Sequence, residues 1–137
     1  METDAPIPRR LPAVARFVMG LPLIVFGLNG FFNFIPQPKT PLAPGAMAFV
    51  GALMNSGYIM QLIGATLLIV GVLLVANRFV PLALVLFAPF IVNSVAFHLT
   101  LEHTGLIMAA IFLVLELYLA CVYRAAFRTL LTARFVL

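Results

Sequence analysis

The stretch PFIVNSVAFHLTLE, Pro89 to Glu102, decides how this chain is read. It is apolar enough to lie in a membrane, yet it carries Asn93, Ser94, His98 and Glu102. In a helix, positions i, i+4 and i+8 share one face, so Ser94, His98 and Glu102 form a polar stripe. Polar and ionisable groups at membrane depth are costly and turn toward protein or a water-filled cavity. The segment is therefore expected to be a membrane helix that carries one wall of a site.

Composition supports this outward from the stretch. Of 137 residues, 64% are hydrophobic and 9% charged, with mean hydropathy +1.19. A soluble domain is about 25% charged, so an integral membrane protein of one domain is expected. The net charge of +4 would suggest nucleic acid in a soluble protein. Here the basic residues flank apolar runs, so topology and lipid head groups explain them, and no nucleic-acid partner is expected. The single cysteine, Cys121, cannot form an intramolecular disulfide. It is expected as a small buried residue, and self-contained thiol–disulfide chemistry is set aside.

The expected fold is an all-α, four-transmembrane-helix bundle. A span needs roughly 20 apolar residues; the four are placed at about 14–35, 57–76, 79–98 and 105–123. Residues 1–13 form a polar, proline-rich lead. Arg9 and Arg10 ahead of an apolar run imitate a signal peptide, but the run is too long and no cleavage site follows, so the helix is retained. Residues 36–46 hold four prolines and read as a loop. Residues 46–56 are too short to span and read as an interfacial or re-entrant helix, either a lid or a peripheral piece. Asn77-Arg78 is a tight turn that makes helices two and three an antiparallel hairpin. The tail, 125–137, with Arg128 and Arg134 after Arg124, is expected to carry helix four into the head-group layer.

In helix two, Gly57, Gln61, Gly64, Leu68 and Gly71 lie on one small-residue face, which admits another backbone. Arg9, Arg10, Arg16, Arg78, Arg124, Arg128 and Arg134 fall on one side of such a bundle and Lys39 on the other. The positive-inside rule makes both termini cytoplasmic. Asn29, Asn33, Asn55, Gln61, His98, Glu102 and His103 then gather at the outer end, with Asn93 about a turn deeper. Asn29, Asn33 and Gln61 either bond neighbouring segments or line the site. Glu116 sits inside helix four. An intramembrane carboxylate needs a partner or a proton, and Arg16 and Arg78 are its candidate partners.

His98, Glu102 and His103 do not have the spacing of a zinc motif, and no metal site is assigned. Two histidines this close do not bracket a haem. A quinone or similar amphipathic ligand fits better, because such pockets are mostly apolar with a few convergent polar groups. Phe31, Phe32, Phe34, Phe90 and Phe97 supply the apolar part. His98 or an asparagine bonds a carbonyl oxygen, and Glu102 orients the histidine or exchanges its proton.

The runs GLNGFFNFIP (27–36), APFIVNSVAFHLTL (88–101) and ELYLACVYRAAFRTLL (116–131), with the glycine-rich second helix, resemble the DoxX-like membrane proteins. The resemblance covers about Arg16 to Leu131. It implies a small four-helix bundle of the bacterial inner membrane, with some members linked to sulfur-compound oxidation with quinone reduction, or to oxidative and thiol stress beside soluble partners. Relatives often carry a glutamate where this chain has Gln61 and a lysine where it has Asn33, and both departures remove charge. The chain is thus expected to be a subunit or accessory of a membrane redox or stress system, without an autonomous catalytic motif. Two other readings stay open. One is an assembly protein that holds a partner helix, or a second copy, on its Gly57–Gly71 face. The other is a small-solute transporter.

Overall fold

The computed structural model describes residues 9–133. Arg134 and residues 1–8 of the expected lead lie outside them. The described chain is helical, with no strands. Its elements are α1 (Arg10–Phe32), α2 (Pro44–Asn55), α3 (Ile59–Val75), α4 (Val80–Thr100), a 3-10 turn (His103–Gly105), α5 (Leu106–Val122) and α6 (Arg124–Leu130). Three helical stretches are long and apolar enough to cross a membrane: Arg10–Phe32, Val80–Thr100 and His103–Val122. A fourth arises if α2 and α3, bent by 89° at their junction, count as one broken span.

Local chemistry sets the ends of these elements. α1 takes in residues assigned to the lead, because Pro12 falls in its first turn, where its missing N–H costs nothing. It stops at Phe32, short of the expected Ile35. Asn33 enters the left-handed region at φ 47°, its N–H bonding the Asn29 carbonyl at 2.8 Å. Asparagine tolerates that conformation and ends helices this way. The α3–α4 turn is built alike. Asn77 is left-handed at φ 53°, Arg78 N–H reaches Leu73 O at 3.0 Å, and Asn77 N–H reaches Leu74 O at 3.2 Å, which is a Schellman closure. Helix four does not run straight into the tail: Tyr123 separates α5 from α6.

Two sets of hydrogen bonds fix which termini share an end. Arg16 Nη1 donates to Tyr123 Oη at 3.1 Å, and Tyr123 donates to Asn77 Oδ1 at 3.4 Å. The start of α1, the α3–α4 turn and the end of α5 therefore meet at the arginine-bearing end. At the opposite end, the Ala43 N–H donates to Glu102 Oε2 at 3.0 Å, joining the segment before α2 to the one after α4.

The tightest seam is between α1 and α3, where glycines replace side chains. A methyl group on Gly27 would stand 2.6 Å from Leu68 N and 2.8 Å from Gly64 O, and one on Gly71 would stand 2.8 Å from Gly20 O. Glycine at these points lets the two backbones touch. The expected face for a partner helix is thus covered by α1 of the same chain. Gly57 stands apart, in a left-handed turn at φ 81° with open space around it. Away from the seam, Met19, Leu23, Val70, Leu74, Leu84, Phe87 and Leu119 form a closed core. Cys121, expected to be buried, is exposed. It lies on the α5 face that also exposes Val114 and Leu117.

Candidate functional site

The core does not continue to the α2 end of the bundle. There the helices part around two cavities of about 260 Å³ and about 730 Å³. The smaller lies among α1, α3, α4 and α5, with Leu23, Phe26, Leu67, Phe87, Phe90 and Phe112 in its wall. Its polar side chains are Ser94 and His98, one helical turn apart on α4.

His98 is held from two directions. Its Nδ1 lies 2.8 Å from the Glu102 carbonyl oxygen. A carbonyl only accepts, so Nδ1 carries the proton in that bond. In the neutral ring Nε2 is then an acceptor with no hydrogen bond among the described residues; in the charged ring it becomes a donor. The ring also rests on Gly105. A methyl group there would meet its Cε1, its Nε2 at 2.6 Å and its Nδ1 at 2.8 Å. The Phe97 ring stands edge-on at 5.1 Å between centroids. His103 repeats the device outside the cavity, with its Nδ1 2.9 Å from the His98 carbonyl. The His103 imidazole thus satisfies a carbonyl that the end of α4 would otherwise leave open, and the His98 imidazole one in the connection after it.

Glu102 departs from the expected stripe. α4 ends at Thr100, and Glu102 is extended at φ −148° and ψ 107°, so it leaves the face of Ser94 and His98. Its backbone carbonyl, not its carboxylate, orients His98. The carboxylate instead accepts from Ala43 N–H, Thr104 Oγ1 at 3.2 Å and Thr104 N–H at 3.5 Å. The Ala43 amide holds the carboxyl below its ordinary value, aided by Thr104 and the charge of His103, against some desolvation. It ties the segment before α2 to the α4–α5 connection.

The remaining predicted positions divide. Asn29 lines the larger cavity, and its Oδ1 accepts from Ile35 N–H at 2.7 Å, so it also caps α1. Asn93 lines the same cavity. Asn33, Asn55, Gln61 and His103 are exposed and line neither. Phe31, Phe32 and Phe34 are exposed as well, leaving Phe90 and Phe97 of the expected aromatic set at the cavities. Glu116 lies one turn beyond Phe112 along α5, 7% exposed, with Oε2 lacking a hydrogen-bond partner among the described residues. Among the described residues neither candidate partner, Arg16 or Arg78, forms an ion pair with it, and Arg16 turns to Tyr123.

Four glycines were missed by the sequence reading. Gly105 gives His98 its seat, and a lone glycine after LEHT carries no signal of that contact. Gly20, Gly27 and Gly30 complete the seam, and their spacing of seven and three was visible beside the glycines of α3. Among the described residues no group of three His, Cys, Asp or Glu side chains converges. Compared with protein-family models, with curated proteins and with solved structures, the chain matches none.

Proposed function

We propose that the chain is a DoxX-like protein of the bacterial inner membrane, in which α3 is the fourth span and α2, bent 89° from it, is a short interfacial helix. Its arginine-bearing end faces the cytoplasm and its cavity end faces outward. In this reading it serves a membrane redox or stress system by binding a quinone or a similar amphipathic ring at His98.

One observation carries the proposal. The inner cavity is apolar except for Ser94 and His98, and His98 presents it with an imidazole whose other nitrogen is already engaged. Its 260 Å³ lies just under the roughly 300–1,000 Å³ of small-molecule sites. That is room for one ring-sized head group and too little for a haem. Nε2 accepts from a quinol hydroxyl when neutral and donates to a quinone carbonyl when charged. The chain's residues bind and orient; electrons come from a partner protein.

The test is extraction in mild detergent and quantification of quinone per chain, in the wild type and in His98→Ala. Near-stoichiometric quinone that falls in the variant supports the reading. Absence of quinone from both, with equal thermal stability, overturns it.

A further inference from the structure

The larger cavity lies next to the inner one. It shares Phe26, Leu67, Phe90 and Ser94 with the inner one, so the two meet along a wall drawn from α1, α3 and α4. It is almost three times as large, and Phe49, Val50 and Leu53 of α2 roof it. Its wall is apolar but for a few groups. Asn29 Oδ1 is engaged with Ile35, and the Thr66 hydroxyl donates to Leu62 O at 2.9 Å. The other polar side chains in the wall are Asn93 and Ser94, both on α4. An ordered water needs two to four polar partners, which these few groups supply only beside themselves and not across 730 Å³. Leu62 and Leu86, which border it, belong to the exposed apolar surface of α3 and α4. On a chain in a bilayer that surface meets hydrocarbon.

We propose that the ligand is a tailed lipid, with its ring in the inner cavity and its prenyl or alkyl chain in the outer one beneath α2. This rests on the reading of the inner cavity as the ring site. The shared wall marks where a chain attached to that ring continues. The ligand then enters sideways from the bilayer, and its tail never crosses water. A water-soluble, tailless ring would leave the larger cavity to bulk lipid.

The test is photolabelling of the wild-type protein in liposomes with a methoxy-benzoquinone carrying a decyl tail. One probe bears a diazirine on the ring and a second bears it at the tail end; labelled residues are read by mass spectrometry. The expected result is ring labelling at residues such as Met108 and Phe112, tail labelling at Leu53, Met60 and Ile63, and loss of both in excess unlabelled quinone. Ring labelling in the inner cavity with tail labelling on outward residues of α5, such as Ile107 and Val114, overturns the tail assignment and leaves the ring site standing. Absence of competable ring labelling overturns the ring site itself. In His98→Ala the ring and tail labels are expected to fall together; a tail label that persists there assigns the larger cavity to any passing lipid chain and overturns the proposal.

Discussion

The α1–α3 seam and the cavity region solve different problems. Along α1 and α3, glycine meets glycine, backbones touch, and a single methyl group has nowhere to go. At the α2 end, aromatic residues and small polar groups hold helices apart around open volume. Close packing gives a rigid strut at little side-chain entropy. Incomplete packing costs stability and is kept where a ligand can fill the space. The difference teaches where to look for function in a chain without a catalytic motif: where packing stops and polar groups are tethered.

The comparison breaks most visibly at Gly27. Gly27→Leu forces the seam open, and overpacking of this kind costs roughly 1–3 kcal/mol or more. The expected outcome is loss of monodisperse protein in detergent, read by size exclusion and thermal unfolding. The counterpart on the open side is Gly51→Ala, where a methyl group meets nothing. There alanine in a helix is expected to raise stability by about 0.5–1 kcal/mol.

Gly105→Ala sharpens the other half. The added methyl group occupies the place of the His98 ring. Quinone content is expected to fall as far as in His98→Ala, although the histidine is still present. Retention of quinone in Gly105→Ala with loss in His98→Ala would show that the seat does not position the ring.

At the arginine end, Tyr123→Phe removes the acceptor of Arg16 and the donor to Asn77. Stability is expected to drop by about 1.5–3 kcal/mol, the range for a hydrogen bond to a charged group, with quinone content unchanged. A loss of quinone there would mean that the two ends are coupled.

The smallest effect is local. The Glu102 carboxyl titrates below its ordinary value, so its contribution is fully present above 4.5 and fades as pH falls through the lowered folded value. Amide protection at Ala43 and Thr104, corrected for intrinsic exchange, is expected to weaken in acid and to be weak at all pH values in Glu102→Ala. Equal protection in the variant would show that the tie does not hold the segment before α2.

Much of the helical architecture was legible because apolar length and glycine spacing are one-dimensional signals. The short apolar run near 46–56 could be seen, as could the small face of α3. The site was legible in part. Ser94 and His98 share a face because four residues make a turn, and no fold is needed to know it. Glu102 was misread because a helix stripe was extended past Thr100, and nothing local announces that α4 stops there. Asn29 and Asn33 were open to two readings, as bonds to neighbouring segments or as walls of the site. Asn33 ends α1, and Asn29 caps it while also lining the larger cavity, a dual role that two asparagines in sequence do not reveal. Gly105 was silent for a different reason. Its role is a contact across a turn, and contacts of that kind are three-dimensional.

α3 is shorter than the helix it packs against. Its 17 residues rise about 25 Å, short of the roughly 30 Å of a bilayer's hydrocarbon, whereas the 23 residues of α1 rise about 34 Å. The two are pinned side by side by their glycines, so α3 cannot tilt or slide to hide the mismatch. With α3 as the proposed fourth span, lipids beside it are expected to shorten to meet it, and the leaflet to dimple next to α2, where the larger cavity lies. On the proposed reading the protein is expected to carry its own patch of thinned membrane. It is expected to accumulate in thin bilayers over thick ones when reconstituted across a phase boundary.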